Sequence, residues 1–424
     1  MKERFSQESM QAASGARAGR SLFKGDKVIW AIFFILCAIS VIEVYSAASN
    51  LTYKTGEFWK PVVRHAQFLL GGAILVWAAH SIPCRWYKFY PVVAIPVSVM
   101  MLLYLLLRGA VTNGAARWIN VLGIPLQPSE IAKGGVIVSV SLILSAMQTP
   151  QGADRHAFRY ILWVAIPVCL LIFPENFSTA AFLFLVVIAM MFIGRIPLLQ
   201  MGKLLGVLSL LMASAFAVVK YTPDSVLDSV SALHRLSTWK ARLNKWTDTS
   251  ARQLGEKDFL SDKSIQETHA SIAIATSSVV GKFPGNSVER DFLPQAFSDF
   301  IYAIIIEEMG LVGGVVVVML YVILLFRASK IANRCERNFP AFLVLGLSLL
   351  LVTQAVINMA VAVGLFPVTG QPLPFISRGG SSTLINCMYI GMILSVSRFA
   401  KRRGAQGEVG GAEEAAFTSS EGMS

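Results

Sequence analysis

Two groups of ionisable residues stand where an apolar setting would make them reactive. The first is Asp299, in Leu293-Pro294-Gln295-Ala296-Phe297-Ser298-Asp299-Phe300-Ile301-Tyr302, where a long polar stretch meets an apolar run. A carboxylate half withdrawn from water there suits general-base work. The same position suits a helix cap, Ser298 or Asp299, and spacing alone leaves both readings open. The second group is Gln127-Pro128-Ser129-Glu130-Ile131-Ala132-Lys133, which follows Asn113-Gly114-Ala115-Ala116-Arg117-Trp118-Ile119-Asn120. Pro128 and Ser129 fit a helix start, and Glu130 is favoured in its first turn. Glu130 and Lys133 are three apart, so they share a face and can pair. Such a pair at the head of an apolar helix is costly unless it faces protein or water. It either caps and neutralises itself or forms the wall of a polar cavity. Arg117-Trp118 by itself also fits an interfacial anchor.

Three further segments carry unusual chemistry. Glu307 and Glu308 lie deep in an apolar run, and adjacent helical residues diverge by about 100°, so both avoid lipid only if paired or protonated. Residues 364–382, Gly-Leu-Phe-Pro-Val-Thr-Gly-Gln-Pro-Leu-Pro-Phe-Ile-Ser-Arg-Gly-Gly-Ser-Ser, hold too much Pro and Gly for a regular helix. They read as a re-entrant loop lining a site or as a rigid outer turn. Leu233, Leu236, Trp239, Leu243 and Trp246 recur at helical steps with basic residues between them. That pattern describes an amphipathic helix, lying in the membrane interface or packed on the bundle. No P-loop, G-x-S-x-G, H-E-x-x-H or dinucleotide fingerprint is present. The five cysteines form no C-x-x-C pair, which argues against a zinc site or disulfide framework.

The elements that must position these groups are membrane helices. Of the 424 residues 55% are hydrophobic and 15% charged, in long apolar runs separated by short polar ones. The fold class is therefore all-α: a polytopic helical membrane protein with ten spans, beginning near Val28, Pro61, Phe89, Ser129, Tyr160, Ser178, Leu204, Asp299, Ala341 and Ser381. One large extracytoplasmic loop covers 221–298. Residues 1–27 form a basic cytoplasmic tail, 28–400 the membrane domain and 401–424 a disordered cytoplasmic tail. With both termini inside, Lys2, Arg4, Arg17, Arg20, Lys24, Lys27, Arg85, Lys88, Arg327, Lys330, Arg334, Arg398 and Lys401 fall on the cytoplasmic side. The net charge of +12 is explained by that sorting, with no nucleic-acid partner.

At these segments the sequence resembles the SEDS family of membrane proteins, the FtsW/RodA/SpoVE type, over about Lys27 to Lys401. NGAARWINVLGIPLQPSEIAK is similar to the family's G-[AS]-x-R-W-[IL]…Q-P-S-E-x-x-K block. Gln266-Glu267-Thr268-His269-Ala270-Ser271 with Gly281-Lys282 loosely resembles its Q-x-x-x-[AS] block. LPQAFSDFIYAIIIEEMGLVGG resembles its L-P-E-x-x-T-D-F-I-F…E-E-x-G block. Gln354 to Asn358 with GLFPVTGQPLPFISRGGSS resembles its closing block. Ser298 stands for the usual Thr, Phe297 for a polar residue and Arg378 for the common Tyr. The P-D-x-G-T-A block reads Pro174-Glu175-Asn176-Phe177-Ser178-Thr179-Ala180, so Glu175 and Asn176 both compete for its aspartate.

The resemblance implies a ten-helix peptidoglycan glycosyltransferase of the bacterial inner membrane, its site at the periplasmic face. It would polymerise lipid II by inverting transfer from an undecaprenyl-pyrophosphate donor. It would work with a class B penicillin-binding transpeptidase and other divisome membrane proteins. The resemblance makes Asp299 the essential aspartate and Glu130–Lys133 the cavity pair. Arg117, Trp118, Gln127, Ser129, Arg378 and Ser381 are read with Glu130 and Lys133 as substrate-binding positions. The short loops and polar tails lean toward the division member rather than the elongation member.

Joining a sugar hydroxyl to an anomeric carbon needs a base at the hydroxyl and positive charge at the leaving phosphates. Asp299 meets the first need, and Arg117, Lys133 or Arg378 the second. A divalent cation, Mg or Mn, would share the phosphate role. The rival reading, a lipid-precursor flippase or transporter, usually carries repeats and midplane charges. This chain shows no repeat and gathers its polar clusters at helix ends. Single cysteines placed within 221–298 are expected to react with impermeant thiol reagents once the outer membrane alone is opened. Labelling only after inner-membrane rupture would reverse the topology.

Overall fold

A computed structural model describes residues 23–55, 59–108, 118–121, 124–221, 262–293 and 298–400. Arg117, the Leu233–Trp246 stretch, residues 1–22 of the first tail and all of 401–424 lie outside the described residues. The helices are α1 (Lys27–Thr55), α2 (Trp59–Ser81), α3 (Tyr90–Arg108), α4 (Pro128–Ala146), α5 (Ala157–Ile172) and α6 (Phe177–Ile193). They continue with α7 (Leu198–Tyr221), α8 (Asp262–Thr276), α9 (Ile301–Ala332), α10 (Asn338–Ala362) and α11 (Ser381–Ala400). Two strands, β1 (Ile119–Val121) and β2 (Ile124–Leu126), form an antiparallel hairpin pairing Ile119 with Leu126.

Seven of these helices, α1 to α4 and α9 to α11, are long and apolar enough to cross a membrane. The apolar stretches of α5, α6 and α7 are shorter, and α5, at 16 residues, rises about 24 Å against a hydrocarbon core of about 30 Å. α8 belongs to the large loop and is the least apolar of these helices.

α4 is the axis of the bundle. It starts where the sequence puts it, with Gln127 at the cap and Pro128 in the first turn, where a missing N–H costs nothing. It packs against α3, α5, α6 and α10, with most of its length buried. Gly134 allows one of these contacts: a Cβ there would lie 2.4 Å from the Tyr389 hydroxyl. That hydroxyl donates to Glu130 O at 2.6 Å, so α11 and α4 are bonded where both are buried.

α9 is broken at Gly310, whose φ of 72° and ψ of −177° interrupt the helix. A break in an apolar helix frees backbone groups that need partners. Residues 278–283 of the loop supply them. Leu311 N and Val312 N donate to Ser278 O and Val279 O, both at 3.3 Å. Lys282 N and Phe283 N donate to Glu307 O at 3.0 Å and Glu308 O at 2.8 Å. The two backbones touch at glycines: a Cβ on Gly281 would lie 2.2 Å from Gly310 N.

This clasp also answers why two adjacent glutamates sit in an apolar helix. Glu307 accepts from Lys282 Nζ at 2.7 Å, Ser287 Oγ at 2.5 Å and Val288 N at 3.1 Å. Glu308 accepts from Ser46 Oγ of α1 at 2.5 Å and faces the Arg290 guanidinium at 3.5 Å. Both glutamates are fully buried and both are paired.

Gly281 and Gly285 both hold a positive φ, +83° and +94°, but only Gly281 is crowded. A side chain in left-handed backbone costs about 1–2 kcal/mol. Gly281→Ala should therefore lower the melting temperature in detergent clearly more than Gly285→Ala. Equal losses would show that the clasp is not close-packed.

Candidate functional site

The Pro/Gly-dense segment 364–380 contains no helix, and its Gln371 and Leu373–Ser377 portions are buried. Of the two readings open in the sequence, the re-entrant one fits: this irregular backbone lies inside the bundle. Side chains from three helices hold its carbonyls. Asn358 Nδ2 donates to Gln371 O at 2.8 Å, and Gln354 Nε2 to Pro372 O at 2.9 Å. The Tyr321 hydroxyl donates to Pro374 O, and Ser40 Oγ to Ile376 O at 2.7 Å. Ser377 Oγ accepts from Leu373 N at 2.8 Å and donates to Ser298 O at 2.6 Å.

Asp299 hangs from the same scaffold. Asn358 Nδ2, already on Gln371, also donates to Asp299 O at 3.0 Å. The cap position of α9 is Phe300, which makes no side-chain cap bond, so neither Ser298 nor Asp299 occupies the cap. Asp299 is 8% exposed, more enclosed than a residue at a bare membrane surface.

The Glu130–Lys133 pair forms at 2.7 Å with both side chains at 0% exposure. Lys133 Nζ also donates to Gln354 Oε1 at 2.9 Å and stands 5.0 Å over the Phe182 ring. Gln354 therefore joins the ion pair to Pro372 of the irregular segment. Gln371 Nε2 bonds Thr179 Oγ1, and Asn176 Oδ1 accepts from Thr179 N at 3.2 Å as the cap of α6. That assigns Asn176 a helix-capping role. Several buried polar atoms here find no partner among the described residues: Glu130 Oε2, Asn358 Oδ1, Gln371 Oε1, Asn176 Nδ2 and Ser381 Oγ. Buried orphans of this kind usually mean water or a ligand.

Beyond Ser377 the chain runs into a cavity of about 330 Å³. It is lined by Arg64, His65 and Phe68 of α2, by Trp118 and Pro125 of the hairpin, and by Arg378, Gly379 and Gly380. His65 Nε2 donates at 2.7 Å to Ser40 Oγ, the group that holds Ile376. Arg64 and Arg378 make no ion pair among the described residues. Burial and the Arg64 charge together push Arg378 below its ordinary range. Two guanidinium groups in one concavity, without a carboxylate, suit an anion.

The expected site residues thus fall into linked groups. Arg378 and Trp118 line the cavity. Glu130 and Lys133 form the interior pair, with Gln127 and Ser129 buried at the head of the same helix. Ser381 is buried at the head of α11. Lys133 is spent on Glu130 and Gln354, whereas Arg64 and Arg378 line the cavity. Arg64 and His65 were not singled out from sequence, since a lone arginine at a helix edge looks like an interfacial anchor. Among the described residues no three His, Cys, Asp or Glu side chains gather as metal ligands.

A bundle of apolar helices with a buried ion pair, a re-entrant segment and a basic cavity defines a polytopic membrane protein with a polar site near the helix ends. The sequence model of FtsW/RodA/SpoVE, described as "Cell cycle protein", matches residues 26–402, and the chain belongs to that family. A probable peptidoglycan glycosyltransferase FtsW of Halomonas elongata is 33% identical over 381 residues, covering 87% of this chain and 90% of the relative. One from Coxiella burnetii is 30% identical, covering 86% and 95%. The fold is also that of a chain from a peptidoglycan synthase complex, with a TM-score of 0.65, 24% identity and coverage of 89% and 98%. The rod shape determining protein RodA of Thermus thermophilus gives a TM-score of 0.58 at 20% identity, covering 88% and 97%.

Removing one partner of a buried pair costs about 3–5 kcal/mol. Glu130→Ala and Lys133→Ala are each expected to deplete the protein from membranes, and the double variant to recover abundance without activity. Full activity in the double variant would make the pair purely structural.

Proposed function

We propose that the chain is a peptidoglycan glycosyltransferase that polymerises lipid II at the periplasmic face of the bacterial inner membrane, for septal wall synthesis. Family membership and the names of the relatives at 30–33% identity support the reaction. The observation that carries the reading is one continuous segment, Gln371–Gly380, that shares Asn358 with Asp299 at one end and lines the two-arginine cavity at the other.

In this reading Asp299 takes the proton of the attacking sugar hydroxyl as its oxygen closes on the anomeric carbon of the donor. The C–O bond to the lipid pyrophosphate breaks on the opposite face, which inverts the centre. Charge building on the pyrophosphate is met by Arg378 and Arg64, where water is partly excluded and each hydrogen bond counts for more. Glu130 and Lys133 shape the interior without touching the reacting atoms. A cation shared between one carboxylate and the substrate phosphates fits this donor set better than a cage of protein ligands.

All ten apolar helices cross the membrane in this reading, with both termini cytoplasmic. The described chain pairs with a class B penicillin-binding transpeptidase within the divisome. Its likeness to a chain solved within a peptidoglycan synthase complex supports that pairing.

Asp299→Asn keeps the side chain's shape while removing the base, which typically contributes about 10²–10⁴-fold in rate. The variant should reach normal membrane levels, hold its transpeptidase and fail to polymerise lipid II in a gel assay. Wild-type polymerisation by it would remove Asp299 from the reaction.

A further inference from the structure

The opposite end of the bundle holds a second cavity, of about 220 Å³, where the start of α1 meets the ends of α9 and α11. Asp299 precedes α9, and Arg327 and Arg334 lie at its far end, so the cavity is a membrane thickness away from the catalytic site. Its lining includes Asp26, Lys27, Arg327 and Arg334. Asp26 is the single acid among them and is fully used. Its Oδ1 caps α1, accepting from Val28 N at 2.9 Å and Ile29 N at 3.3 Å, and its Oδ2 takes Arg327 Nη2.

That leaves an excess of donors. Lys27 and Arg334 make no ion pair among the described residues. Arg327 Nε is buried without an acceptor among the described residues. The positive end of the α1 dipole points into the same space. Basic residues at cytoplasmic helix ends need only the positive-inside rule to explain them. An arginine that lines a cavity between three helices and keeps one N–H without an acceptor among the described residues calls for an acceptor as well.

We propose that this cavity seats the phosphate of an anionic phospholipid headgroup from the leaflet opposite the catalytic face. A phosphodiester supplies acceptors to Arg327 Nε, Lys27 and Arg334 at once. The cavity lies at the ends of membrane helices, at headgroup depth, where basic pockets between helices take such lipids. Asp26 and Arg327 build the seat, while Lys27 and Arg334, both exposed, supply its charge.

The test uses the purified full chain in detergent, titrated with phosphatidylglycerol, phosphatidylcholine or inorganic phosphate and read by native mass spectrometry. Wild type should retain phosphatidylglycerol in preference to phosphatidylcholine. Each basic residue contributes about fivefold to affinity for an anionic headgroup, so Lys27→Gln with Arg334→Gln should lose about 25-fold. Its melting temperature should be unchanged, because the Asp26–Arg327 bond stays. Millimolar inorganic phosphate should not displace the lipid. Equal retention of the two lipids, unaltered binding by the double variant, or displacement by phosphate would each overturn the proposal.

Discussion

The carbonyl groups of Gln371, Pro372, Pro374 and Ile376 impose the main constraint on this molecule. They belong to a non-helical backbone inside an apolar bundle, where each unpaired group would cost about 1–3 kcal/mol. Pro372 and Pro374 lighten the demand, since proline brings no N–H. The carbonyls are met by Asn358 and Gln354 of α10, Tyr321 of α9 and Ser40 of α1. Each of those polar side chains would be a liability in a membrane helix without this partner.

The same bonds organise the site. Asn358 and Gln354 lie on α10 four residues apart, one turn of helix, and each has a second bond. Asn358 reaches Asp299 O, and Gln354 reaches Lys133. Asp299, the ion pair and the arginine cavity are therefore positioned by one network. The Glu307–Glu308 clasp stabilises α9, the helix that Asp299 precedes, and ties the large loop to it. Glu130 and Lys133 lie where a helix begins and Glu307 and Glu308 beside a break, so backbone or opposite charge can meet them.

Much of this was legible in the sequence because it is local. Pro128, Glu130 and Lys133 announce a helix start and a pair within one turn. The Pro/Gly density of 364–380 rules out a helix, and adjacent Glu307 and Glu308 demand partners. What stayed hidden was long-range. Nothing in the spacing shows that Lys282, Ser287 and Arg290 supply those partners, because they come from another segment. The break at Gly310 was equally silent, since a lone glycine is tolerated in a helical pattern. Asp299 was expected to be half in water, whereas α10 and the irregular segment close over it. Asn176 competed with Glu175 until its bond to Thr179 N made it a cap.

Under the proposed function, a site at the helix ends follows from the reactants. A lipid-linked diphosphate keeps its tail in hydrocarbon and its phosphates and sugars in the interface. A protein acting on it must bring cations and a base to that depth without burying them unpaired in the bilayer core. Arg64 and Arg378 can stay at the interface, half in contact with water, and wait for an anion. Lys133, fully buried, cannot wait: it needs Glu130 beside it from the moment of folding. That difference separates the groups free to meet an anion from the groups that hold the walls apart, and under the proposed function it gives the phosphates to the arginines.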